Sequence, residues 1–144
     1  MPRLPLRRPG DICLVTFPNT VRCLRVSSII HFGTDGWRAR TDGEFTLDNV
    51  GRVADAAADI WQSTHPGATV YVGYDTRPRA RELAEVAAGT LSAHGLDVVL
   101  VSSPAPTPAL TWAVAHDGDA CGALMVTGSH HPQGYLCLKL RMGD

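Results

Sequence analysis

Three short apolar runs, with helical periodicity before and between them, restrict this chain to very few folds. TVYVGY (69–74), DVVLVSS (97–103) and the run ending at Thr127 each have the length of a strand. The last two are apolar continuously rather than alternately, the pattern of strands covered on both faces. After Thr46, apolar residues recur at Val50, Val53, Ala54, Ala57, Ile60 and Trp61, the three-and-four spacing of a helix with one buried face. Thr46 suits its N-cap, and Pro66-Gly67 closes the connection. A second helix is expected near Pro78, burying Leu83, Val86, Ala87, Thr90 and Leu91 and ending at His94-Gly95. Thr107 as cap and Pro108 at the first helical position announce a third, running to about His116. Strand, helix, strand, helix, strand is the signature of an α/β fold, a parallel sheet with helices on both faces and right-handed crossovers.

The chain's 144 residues suffice for one domain with a real core and are too few for two ordinary ones. A net charge of −1 leaves no bulk attraction to nucleic acid or membrane, and no run reaches membrane-spanning length. Charge is uneven along the chain. Residues 1–28 hold Arg3, Arg7, Arg8, Arg22 and Arg25 against the single acid Asp11. The apolar run at 12–17 is short and lacks a small-residue cleavage pattern, so it does not read as a signal peptide; arginine-rich and acid-poor composition fits a transit peptide only loosely. We read 1–28 as an N-terminal extension, disordered or outside the fold, and 29–144 as the domain. Cys13, Cys23, Cys121 and Cys137 show no metal-binding spacing, and the expected compartment is a reducing cytoplasm.

In such sheets ligands gather at the carboxyl ends of strands, which points to the loops after Tyr74, Val101 and Thr127. The last of these is MVTGSHHPQGYLCLK, residues 125–139. Gly128 lets the backbone turn and leaves the Ser129 hydroxyl outside the strand end; as a bare pattern, small polar residues here also suit a simple turn. Thr127 and His131 occupy the positions where a hydrolase elbow needs glycines, and no P-loop spacing is present. His130 and His131, being adjacent, point apart on extended backbone, which disfavours a chelating pair. The arrangement suits a serine that carries phosphate, since a phosphoserine dianion attracts cationic donors, and Lys139 and the imidazoles supply them nearby.

Thr127-Gly128-Ser129-His130-His131-Pro132, with Tyr135 and Lys139, resembles the phosphoserine loop of the α-D-phosphohexomutases, the phosphomannomutase and phosphoglucomutase family. FGTDGWR (32–38) is similar to that family's opening motif, VGYDTRP (72–78) to its Gly-x-Asp-x-Arg turn, and PAPTPAL (104–110) to its Thr-Pro helix start. The likeness covers residues 29–144 and ends where the family's first domain ends. His131 stands where the family has Asn, and Leu136-Cys137 where it has Asn-Gly. The resemblance implies a three-layer α/β/α sandwich with a mostly parallel mixed sheet. It implies Ser129 as phosphoryl donor and acceptor, Arg38 and Lys139 as partners of the phosphoryl oxygens, and His130 as general acid or base. Asp75 and Arg77 would buttress the loop formed with Thr127, Gly128 and His131. It further implies Mg2+ held through the Ser129 phosphate with ligands outside this chain, and a hexose 1,6-bisphosphate as activator and intermediate. The partners implied are a hexose phosphate and the remaining domains of the same enzyme, and the activity is that of an isomerase moving phosphate between C1 and C6.

Each residue has a plainer reading. Arg38 would be a surface arginine, Asp75 a strand-end cap and Lys139 a solvated side chain on an edge strand. Trp37, Trp61 and Trp112 read as packing. Two other classes remain open: a catalytically silent domain or phosphate-binding interaction module, and a serine hydrolase, which the missing elbow spacing disfavours.

Overall fold

The computed structural model of the protein describes residues 11–16, 20–25 and 29–143. They fall into two units, Met1–Ile30 and His31–Asp144. In the first, β1 (Asp11–Thr16) and β2 (Thr20–Arg25) pair antiparallel, with Asp11 opposite Arg25 and Thr16 opposite Thr20. A hairpin thus lies within the 1–28 extension. Its β-branched and apolar content favours strand, although two strands alone are marginal in water. The rest of that extension (1–10, 17–19 and 26–28) lies outside the described residues.

The second unit is built on β3 (Phe32–Gly33), β4 (Gly36–Arg40), α1 (Leu47–Thr64), β5 (Thr69–Tyr74), α2 (Ala80–Ala93), β6 (Asp97–Leu100), α3 (Thr107–His116), β7 (Ala120–Thr127) and β8 (Tyr135–Met142). Its six strands form one sheet in the order β3-β4-β8-β7-β5-β6. The class is α/β with helices on both faces, as expected. The balance of strand directions differs, however. Only β7-β5 and β5-β6 run parallel, whereas β3-β4, β4-β8 and β8-β7 are antiparallel. The helical crossovers dictate parallel pairing where they occur, and the 128–134 loop simply turns β7 back into β8.

Both expected helix ends of α1 are present. The Thr46 side chain accepts from the Asn49 amide at 3.2 Å, and the buried Asn49 donates from Nδ2 to the Glu44 carbonyl at 2.8 Å. α2 begins two residues after Pro78, because the chain first turns through a left-handed Arg79 (φ 66°). Val86 and Thr90 of its expected stripe are half-buried, and Ala80, Ala84 and Ala88 complete the buried face. In α3, Pro106 is the N-cap and Thr107 already lies within the helix.

Strand alternation divides the sheet into two faces. On one, Val70, Val72, Leu124, Val126, Leu136, Leu138, Trp37 and Ala39 are all buried. Trp61 of α1 lies against Gly122 on this side, and Trp37 stacks on Phe45 with ring centroids 4.6 Å apart. On the other face α3 packs Leu110 and Val114 over Ala123 and Met125. Two expectations fail at the margins. β6 is the sheet's edge, leaving Val99 40% and Leu100 36% exposed rather than covered. Trp112 is 64% exposed and stacks on His116, so it is not a packing residue.

Candidate active site

β7 delivers Thr127 to the carboxyl edge of the sheet, next to the end of β5 at Tyr74. Asp75, the first residue after β5, ties the two strand ends together. One carboxylate oxygen accepts from the Thr127 hydroxyl at 2.8 Å and from the Gly128 amide at 2.7 Å. The other accepts from the Arg77 amide at 2.9 Å. Thr127 Oγ1 in turn accepts from the Ser129 amide at 2.9 Å. A half-buried carboxylate's acceptors are thereby filled by donors from its own loop and its neighbour.

Arg77 completes this scaffold. Its Nη1 donates to the Pro132 carbonyl at 2.8 Å, and Nη2 donates to the His131 carbonyl and, at 3.4 Å, to that of Ser129. The guanidinium crosses directly over Gly128, where a Cβ would run into its Nε and Cζ atoms. Glycine is needed there for close approach, not for its φ. Ser129 does adopt a left-handed conformation (φ 48°), and its side chain is exposed at the loop tip. Its Oγ lies 3.4 Å from His130 Nδ1.

A second group converges from the antiparallel half. Arg38 of β4 lies opposite Cys137 of β8, and Thr127 of β7 lies opposite the same residue. Lys139 and Arg141 follow on that face of β8 by the two-residue period. Lys139 is only 9% exposed and sits on an interior strand, which removes its reading as a solvated edge-strand residue. Its Nζ donates to Asp35 Oδ2 at 2.5 Å, and Arg141 Nη2 donates to Asp35 Oδ1 at 2.6 Å. The Lys139 hydrogen bond first, then that of Arg141, holds the Asp35 carboxyl down at about 2. Arg38 is exposed and has no hydrogen bond or ion pair among the described residues.

His131 lies within the field of these groups. Burial first, then the charges of Arg38, His130, Arg77 and Lys139, pushes its pKa below the ordinary value. Its Nε2 is buried and has no hydrogen-bond partner among the described residues. Burial pushes the thiols of Cys121 and Cys137 up, which keeps both protonated and unreactive.

The structure therefore brings Thr127, Gly128, Ser129, His130, His131, Asp75 and Arg77 into one connected loop assembly, with Arg38 and Lys139 close enough to act on His131. Asp35 and Arg141 belong to this site and were not singled out from the sequence. Asp35 lies inside the FGTDGWR motif, and Arg141 shares the face of Lys139 at i+2, so a strand assignment for 135–142 would have exposed it. Among the described residues no group of three His, Cys, Asp or Glu side chains is arranged to hold a metal ion. The donors here suit an anion, and a cation would need the phosphate itself plus ligands from elsewhere.

Residues 30–144 match the family model for phosphoglucomutase/phosphomannomutase, alpha/beta/alpha domain I. A phosphoglucosamine mutase of Deinococcus radiodurans is 35% identical over 104 residues, 71% of this chain and 23% of that protein. A phosphoglucomutase of Staphylococcus epidermidis is 31% identical over 119 residues, 80% of this chain and 21% of the relative. The crystal structure of a Thermus thermophilus protein described as a putative phosphomannomutase aligns with a TM-score of 0.77 at 40% identity, covering 82% of this chain and 26% of the other. The chain thus spans about a quarter of the length of the relatives it matches. Among the described residues no helix is long and apolar enough to cross a membrane.

Proposed function

The chain belongs to the phosphoglucomutase/phosphomannomutase family through its α/β/α domain I, and from that premise we propose that Ser129 is a phosphoryl carrier in hexose phosphate isomerisation. The observation that carries this reading is the setting of Ser129. Its hydroxyl is exposed on a loop whose backbone is fixed by Asp75 and Arg77. Beside it stand a cluster rich in cations and Arg38, which has no partner among the described residues. Phosphoryl transfer asks little covalent chemistry of a protein and depends on positioning and charge neutralisation. A rigid loop supplies the first, and Arg38 and Lys139 supply the second.

In the forward half-reaction a sugar hydroxyl oxygen attacks the phosphorus on Ser129, and the Oγ–P bond breaks as the new O–P bond forms. The hydroxyl proton passes to an imidazole, and Ser129 Oγ takes up a proton on leaving. His130 is the candidate for this transfer, since its Nδ1 already faces Ser129 Oγ. The resulting bisphosphate returns its other phosphate to Ser129 by the same step reversed. The net change moves phosphate between C1 and C6. Glucose and mannose phosphates are the expected substrates, followed by glucosamine phosphate. Mg2+ would neutralise phosphoryl oxygens when bound, held by the Ser129 phosphate and by residues outside this chain.

The test is incubation with a hexose 1,6-bisphosphate and Mg2+, together with the remaining domains of a relative, followed by peptide mass spectrometry. Phosphate on the 128–134 loop, absent in Ser129→Ala, is the expected result. An unmodified Ser129 under those conditions overturns the reading. Covalent labelling of Ser129 by a fluorophosphonate would favour hydrolase chemistry instead. Because the chain covers only about a quarter of its relatives, a catalytically silent module that retains the phosphate site is the second reading. Phosphorylation of Ser129 without mutase turnover by the combined domains would identify it.

A further inference from the structure

Asp35 is the acid held between two cations of the candidate site, and its environment differs sharply from theirs. The Lys139 side chain is 11% exposed and that of Arg141 31%, whereas that of Asp35 is 51% exposed. Asp35 occupies the two-residue tip between β3 and β4. That tip lies tightly on β8. Gly36 has φ 124°, and a Cβ there would run into the Leu138 carbonyl. Cys137 Sγ also faces the Asp35 carbonyl at 3.9 Å. The backbone of the tip is thus fixed against β8, while the carboxylate reaches from it toward solvent.

A nearly buried ammonium without an anion is costly, because little water remains to solvate it. Lys139 therefore needs an anionic partner at every stage. Asp35 can dispense with one, since its half-exposed carboxylate returns to water when released. We propose that Asp35 is an internal stand-in for phosphate, occupying Lys139 and Arg141 until the phosphoryl group on Ser129 draws Lys139 away. A phosphate dianion outcompetes a carboxylate monoanion for the same ammonium. On exchange Asp35 keeps Arg141, so the tip stays anchored while Lys139 changes partner. The Asp35 carboxylate stays ionised throughout the neutral range, so the exchange is a competition between anions and not a protonation event.

This proposal takes its purpose from the reading of Ser129 as phosphoryl carrier, but its test does not require Ser129 to be phosphorylated. Inorganic phosphate is titrated into the full chain by NMR at constant ionic strength against chloride, with affinity read from the backbone amides of residues 128–141 in every variant and the side-chain ammonium resonance of Lys139 followed wherever that lysine is present. Asp35→Asn keeps the shape of the tip and removes the competing charge, so it binds phosphate about tenfold more tightly than wild type. Adding Lys139→Met to Asp35→Asn abolishes that gain, and placing Ser129→Ala beside it does not. A residue that merely braces the turn would lower thermal stability on substitution and leave phosphate affinity unchanged. Unchanged affinity in folded Asp35→Asn, or a gain that survives Lys139→Met, overturns the proposal. Should Asp35→Asn fail to fold, wild type decides. The Lys139 resonance then moves with phosphate and not with chloride, and a resonance indifferent to both overturns it equally. A gain in phosphate affinity alongside a Ser129 that never accepts phosphate would sink only the carrier reading.

Discussion

On one face of the β4–β8 ribbon, Trp37, Ala39, Leu136 and Leu138 are buried in the core. On the other, one residue along the same strands, stand Arg38, Lys139 and Arg141, with Asp35 as the acid between the last two. The first face is held by apolar packing, which tolerates little change in volume. The second is held by directional, charge-assisted bonds and, among the described residues, keeps Arg38 uncommitted. Apolar packing and a cation-rich face are thus separated by the thickness of a single sheet. The same division recurs between two arginines. Arg77 donates to backbone carbonyls at Ser129, His131 and Pro132, and braces the loop; Arg38 has no such partner among the described residues and remains available to a ligand.

If the division holds, substitutions on the apolar face act on stability first. Leu138→Ala, at a fully buried position, is expected to cost about 2–5 kcal/mol in urea denaturation. A loss well under ~1 kcal/mol would show that the ribbon is not a core element.

The loop scaffold comes next. Gly128→Ala drives the Arg77 guanidinium off the loop carbonyls, with an expected loss of about 1–3 kcal/mol. Amide exchange should quicken selectively at 128–134. A variant with native exchange there would mean that Arg77 does not brace the loop.

Acid sharpens the contrast further. The Asp35 carboxyl lies below its unfolded value of 3.8, at about 2, so its contribution is present above 3.8 and is lost as pH falls through about 2. The difference in thermal midpoint between wild type and Asp35→Asn should therefore shrink from about pH 5 toward pH 2. His131 has the opposite charge logic. Its depressed pKa favours the neutral ring in the folded state, so stability falls as pH drops from about 6.5 through that lower value. His131→Asn should remove this mild-acid step. Phosphorylation of Ser129 should raise the His131 titration midpoint, read by NMR, because a dianion favours the protonated ring.

The smallest stability effect is expected at Arg38. Arg38→Ala should change stability by no more than about 0.5 kcal/mol, while slowing phosphoryl transfer to and from Ser129 once the remaining domains are supplied. A large loss of stability with unchanged transfer would reverse the assignment of the two arginines.

Much of the fold is legible in the sequence. The three-and-four spacing after Thr46, its cap, and the apolar run ending at Thr127 each describe burial along a single element. Such patterns survive folding because burial of one face is a local demand. They also placed the Asp75–Arg77 turn and the Ser129 loop at strand ends, where ligands gather. Periodicity was weaker where neighbours decide the outcome. DVVLVSS has the composition of a covered strand, yet β6 lies at the sheet edge, because strand order is set by crossovers and not by the strand itself. Trp112 fits an apolar helix stretch, yet α3 faces the sheet with Leu110 and Val114 and leaves the indole outside.

Short-range spacing and capping alone marked α1, α2, α3, β5, β6 and β7, and put the 128–134 loop at a strand end, because burial of one face and capping of one terminus are local demands. Which charges meet is settled by the assembled sheet. Asp35 and Lys139 are 104 residues apart, and no local pattern links them. Their pairing exists because two antiparallel strands bring a hairpin tip and an inner strand into register. Coulomb and hydrogen-bond energies depend on distance in space, and spacing along the chain carries no record of that distance until the sheet is built.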